Sequence, residues 1–176
     1  MRIKAEKTIA LVIDYQEKLV PAMHESEELI HNACILLEGL KILGVPMVVT
    51  QQYTKGLGMT VDTVKDAVGS ETYVDKIAFS AYDDVKEKLA EKEFVLVCGI
   101  ESHICVLQTI LDLKENGYIP ILVTDCVASR KEKDKKIALR RAREEGAILT
   151  TYESVLFELL KVAGTETSKR IQKLIR

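Results

Sequence analysis

Cys105 lies in the stretch GIESHICVLQTILDLKENG, in the first turn of an amphipathic helical pattern that directly follows an apolar run. Most free cysteines are small core residues, so a nucleophilic reading requires an activating environment. An ordinary thiol ionises near a pKa of about 8.5 and is only a few per cent thiolate at neutral pH. A helix N-terminus offers partial positive charge and N–H groups without intrahelical partners, which can also hold an oxyanion. A nearby lysine adds a full charge, and Lys76 in YVDKIAFSAY is the candidate. Together these predict that Cys105 ionises below about pH 8. Asp14 directly follows LVI, and a carboxylate buried at a strand end without purpose is costly. The competing roles are ordinary ones: a helix cap for Asp14, an exposed side chain beside Asp75 for Lys76. His103, two residues before Cys105, points away from it on a helix and is read as a polar neighbour. His24 and His31 are seven apart with no acidic or histidine partner at helical spacing, so they read as solvated surface and no metal site is expected.

These residues need a frame. Short apolar, β-branched runs recur at 8–13, 46–50, 94–99, 119–124 and 147–151, with a weaker one near 73–78. Unbroken runs of this length suit strands buried on both faces. Amphipathic patterns near 26–43, 82–92, 103–116, 131–145 and 153–163 lie between or after them, with a short helix near 60–68. The alternation predicts a three-layer α/β/α protein around a central parallel sheet of about six strands. Glycines in LGVPMVVT, NGYIPILVT and EGAILTT stop the helices where strands begin. Ser80 with Asp83 and Ser129 with Glu132 fit capping boxes. In such sheets ligands sit beyond the carboxyl ends of strands. That directs attention to Asp14, Gln51, Gln52, Lys76, the segment 99–105 and Asp125.

Composition narrows the function. The 176 residues fit one compact domain spanning 1–176, and a net charge of −2 gives no general attraction to nucleic acid or anionic membrane. The basic stretches RKEKDKK and ALRRAREEG are laced with acids at helical spacing, as on a solvated helix face. The amino-terminal apolar run is too short for a signal or a membrane span. Four cysteines at 34, 98, 105 and 126 lack zinc or disulfide spacing, and a reducing, cytoplasmic setting fits them. Cys34 and Cys98 read as packing residues. DYQEKL after the first run is not G-x-G-x-x-G, and TQQ after the second supplies no acidic ribose ligand, which disfavours dinucleotide binding.

LVIDYQEKLVPAM, KIAFSAY and LVCGIESHICVLQTILDLKENGYIPILVTDCVASR together resemble the isochorismatase-like cysteine hydrolases, the superfamily that includes nicotinamidases. The resemblance implies a Rossmann-like strand topology and an Asp-Lys-Cys triad of Asp14, Lys76 and Cys105. It implies that the cysteine attacks a carbonyl carbon, the aspartate takes its proton and the lysine stabilises the pair, with a thioester that water then cleaves. It further implies an oxyanion hole from the backbone N–H groups of Cys105 and Glu101, with a cis peptide between Ile100 and Glu101. QQYTKGLG replaces the metal-holding aspartate and histidines of nicotinamidases, so the chain is similar to a metal-free branch, and no cofactor is expected. Isochorismatase itself cleaves a vinyl ether without a cysteine nucleophile, so Cys105 favours a small-molecule amide or other C–N bond as substrate. An isochorismatase-type ether hydrolase and a non-catalytic ligand-binding or assembly protein are the alternatives. Gln52, Tyr53, Phe79 and Glu101 are the expected pocket lining, and a homo-oligomer is implied. The apolar positions Ile171, Leu174 and Ile175 of the tail suit docking on a neighbour or on the chain's own core.

Overall fold

The run TIALVI forms strand β1 (Thr8–Ile13), and all six of its residues are buried. The computed structural model, which describes residues 1–70 and 72–176, sets β1 inside a six-stranded sheet. The other strands are β2 (Met47–Gln52), β3 (Tyr73–Lys76), β4 (Phe94–Ile100), β5 (Ile119–Ala128) and β6 (Ile148–Thr150). Their order is β3-β2-β1-β4-β5-β6, and every pairing is parallel. The chain builds outward through β2 and β3, then returns to lay β4 on the other side of β1. The crevice between the carboxyl ends of β1 and β4 is therefore the switch point where open α/β sheets hold ligands.

Parallel neighbours need crossovers, and these cover both faces. Helix α1 (Ser26–Ile42) follows β1; α2 (Thr54–Leu57) and α3 (Asp62–Val68) follow β2. Helix α4 (Tyr82–Val85) tightens into a 3-10 turn over Lys86–Leu89, and α5 (Leu107–Glu115) is entered through a π turn over Ser102–Val106. Helix α6 (Glu132–Glu144) joins β5 to β6, and α7 (Tyr152–Leu160) and α8 (Glu166–Ile175) close the chain. Because side chains alternate along a strand, Ala10 and Val12 of β1 pack with Leu36, Val64, Leu156 and Ile171 on one face. Ile9, Leu11 and Ile13 pack with Val85, Ile110 and Ala142 on the other.

The structure departs from the sequence expectation at several places. The helix expected over 82–92 is one α turn followed by the 3-10 turn. β2 runs on through Gln51 and Gln52, because both buried amides find partners: Gln51 Oε1 accepts from the Thr60 N–H and hydroxyl, and Gln52 bonds to Gln16 and Ile77. β5 continues past Asp125 after a register shift, Val97 pairing with Leu122 but Gly99 with Val127. Asp125 therefore lies inside a strand, where its carboxylate accepts from the Tyr152 N–H. Neither capping box forms as such. The Ser80 hydroxyl meets the Tyr82 N–H, while Asp83 pairs with Lys86. Ser129 bonds to His103, and α6 begins three residues later behind Lys131. The tail folds on its own core: Ile171 is fully buried in the α1 layer and Ile175 packs beside it.

Candidate active site

Asp14, the residue after β1, adopts a left-handed backbone with φ of 54°. Aspartate tolerates that region better than most side chains. Its side chain is wholly buried, with Oδ1 accepting from the Thr50 hydroxyl at 2.7 Å and Oδ2 lying 2.8 Å from Lys76 Nζ. Thr50 can do this because β2 is in register with β1, Thr50 opposite Ile13. Lys76 closes β3 opposite Gln52, and its ammonium is equally buried. It donates to Gln52 Oε1 at 2.6 Å, to the Phe79 carbonyl at 2.9 Å and to the Ala78 carbonyl at 3.2 Å.

Across the switch point, β4 ends at Gly99 and Ile100. Gly99 has φ of 134°, and a Cβ there would stand 2.2 Å from the Ile13 carbonyl oxygen, so only glycine lets β4 approach β1 this closely. The peptide from Ile100 to Glu101 is cis. The Glu101 carbonyl then accepts from the N–H groups of Ile104 and Val106, which winds the π turn that carries Cys105. Cys105 is 6% exposed, and its Sγ lies 3.9 Å from Gln52 Oε1. Asp14, Lys76 and Cys105, from three separate strand ends, thus meet around the Gln52 amide.

The electrostatics correct one expectation. Burial pushes the Cys105 thiol up to about 12, the Asp14 charge pushes the same way, and Lys76 only partly opposes them. The helix end and the lysine do not make a resting thiolate, because desolvation and the neighbouring carboxylate together outweigh them. Asp14 itself is raised above the ordinary carboxylate range, first by burial, with Lys76 and Thr50 opposing. The base is therefore stronger than a free aspartate, and the thiol keeps its proton until it reacts.

The residues expected to line the pocket divide. Tyr53 and Phe79 are exposed at the rim, while Gln52 is buried with its amide committed to Lys76 and Ile77. The Glu101 carboxylate turns to Arg130, accepting from its Nε at 3.0 Å. His103 Nδ1 meets the Ser129 hydroxyl at 2.8 Å, away from the thiol. Thr50 and Gln16, which clamps β2 through the Gln52 backbone, are additions of the structure to the residues the sequence points to. Their only sequence signal is position, a polar residue at or just beyond the end of an apolar run. Among the described residues no cluster of three or more His, Cys, Asp or Glu side chains could hold a metal ion. Among the same residues no helix is long and apolar enough to cross a membrane.

A doubly wound sheet thus carries a cysteine, a lysine and an aspartate at its switch point. Residues 8–154 match the family model described as Isochorismatase domain, and the chain belongs to that family of hydrolases. It is 36% identical to the secreted isochorismatase effector Isc1 of Phytophthora sojae over 99% of this chain and 87% of that protein. It is 35% identical to isochorismatase domain-containing protein 2 of Danio rerio, over 99% and 89%. The solved structure of MAR1 ribonuclease from Caenorhabditis elegans superposes with a TM-score of 0.94 at 37% identity, covering 99% of this chain and 92% of that one.

Proposed function

We propose that this chain hydrolyses a C–N bond of a small amide through a thioester on Cys105. The observation that carries this reading is the convergence of a buried thiol, ammonium and carboxylate at the switch point. Cys105 Sγ attacks the carbonyl carbon as its proton passes to Asp14 Oδ2, and Lys76 steadies the charge that moves between them. The backbone N–H groups of Cys105 and Glu101 receive the oxyanion; removing one such donor costs about 100- to 1000-fold in rate. Collapse breaks the C–N bond, and Asp14 returns its proton to the departing amine. Water, giving a proton to Asp14, then attacks the thioester, and the thiol leaves with that proton. Neither step routes through a cofactor.

The same reading places the enzyme in a reducing cytoplasm, in keeping with its four free cysteines. It also makes the enzyme a homo-oligomer, in keeping with Tyr53, Ile77 and Phe79, apolar side chains 53%, 75% and 55% exposed beyond the ends of β2 and β3. A sedimentation mass of one chain at micromolar concentration would contradict that assembly. The test of the chemistry is ammonia or amine release from a panel of small amides by the native chain and by Cys105→Ala. Activity confined to the native chain is the expected result. An RNA substrate belongs in the same assay because the nematode relative is described as a ribonuclease; RNA cleavage with no amide turnover would overturn the amide reading.

A further inference from the structure

We infer that the cavity between α1, β5 and α6 binds a small amino acid as its zwitterion, the carboxylate on Lys135 and the ammonium on Asp125. The cavity follows from the unequal lengths of the last two strands. β6 pairs with β5 only as far as Val123, opposite Thr150, so among the described residues β5 runs on to Ala128 without a strand on that side. Helix α1 packs on one face of the sheet and α6 on the other, and both reach past this edge. Asn32 of α1 ties itself there by donating to the Asp125 carbonyl at 3.2 Å. The space between them is about 240 Å³, and none of Asp14, Lys76 and Cys105 borders it. At ~30 Å³ for each water, it holds a molecule of about eight non-hydrogen atoms.

The charged groups around the cavity are of two kinds. Some pair with one another, Lys136 with Glu132 at 2.6 Å and His24 with Glu25 at 3.5 Å. Lys135 and Asp125 do not. Both are half-buried and each feels the other's charge, yet among the described residues no carboxylate oxygen stands within 4.0 Å of the Lys135 nitrogen. Burial is the foremost influence on both, lowering the lysine and raising the carboxyl, so each charge is poorly solvated until a ligand pairs it. A ligand with only a negative group also meets Glu28, a carboxylate in the first turn of α1. One with only a positive group leaves Lys135 unpaired and opposes its charge. A metal ion fits no better, since among the described residues no three His, Cys, Asp or Glu side chains converge to hold it. A zwitterion satisfies Lys135 and Asp125 together. Leu29, Val127, Ala128 and Leu139 supply an apolar wall for its side chain.

The site stands apart from the hydrolase reading, and its test needs no turnover. L-valine, a molecule of the size the cavity holds, is titrated against the full chain at neutral pH and followed by saturation-transfer NMR. Saturable binding at millimolar valine is the expected result. Isovalerate lacks the ammonium and isobutylamine lacks the carboxylate, so each forfeits one charge-assisted contact and binds about tenfold more weakly or worse. Lys135→Gln and Asp125→Asn weaken valine by the same factor. The asparagine oxygen still accepts from the Tyr152 N–H, so the start of α7 is kept. Leu139→Phe fills the cavity without touching a charge; it abolishes binding and serves if a charge variant does not fold. No saturation up to about 20 mM valine, equal affinity for either half of the ligand, or valine binding unchanged in the variants overturns the inference.

Discussion

At the scale of single residues, the proposed chemistry depends on two proton affinities both displaced upward by burial. Cys105 lies at about 12 and Asp14 above the ordinary carboxylate range, so burial makes the thiol a weaker acid and the carboxylate a stronger base together. Iodoacetamide should therefore alkylate resting Cys105 slowly at neutral pH, with a rate still climbing above pH 9. The signs for its neighbours are opposite. Asp14→Asn removes a negative charge and moves the profile down in pH; Lys76→Met removes a positive charge and moves it up. A plateau below pH 8 in the native chain would show that desolvation does not dominate. The proposed hydrolysis has its own sign: with Asp14 as the base it must be ionised, so activity should fall as pH drops through a midpoint above the usual aspartate value near 3.8.

At the scale of elements, the parts visible in the sequence were those set by local pattern. TIALVI and FVLVCG announce buried strands by hydrophobicity alone, and Asp14 and Cys105 stand out as polar or reactive groups at the ends of such runs. Lys76 needed more, because its burial comes from the register of β3 on β2. The hydrogen bonds of Gln52 are not legible in the sequence, because its partners, Gln16, Lys76 and Ile77, lie 24 to 36 residues away. The upward shift of the Cys105 thiol is hidden for the same reason: a helix start is legible, the depth of burial around it is not. The tail left two options open, and α8 resolves them by filling the α1 layer with Ile171. Ile171→Ala should accordingly cost about 2 to 5 kcal/mol in urea unfolding of the chain. A loss under about 0.5 kcal/mol would mean that α8 contributes little to that layer.

At the scale of the whole molecule, the order β3-β2-β1-β4-β5-β6 brings the ends of β1, β3 and β4 to one rim. Gly99 lets β4 close on β1, the Ile100–Glu101 turn launches the helix that carries Cys105, and β2 supplies Thr50 and Gln52 between the other two groups. Belonging to the isochorismatase family explains the architecture; the chemistry rests on whether the sulfur becomes covalently acylated. The most direct measurement is the intact mass of the chain, acid-quenched during turnover of the amide panel. The expected result is an acyl adduct on Cys105 that hydroxylamine removes and that Cys105→Ala never forms. Turnover of an amide with no such adduct, or at an equal rate in the alanine variant, would contradict it.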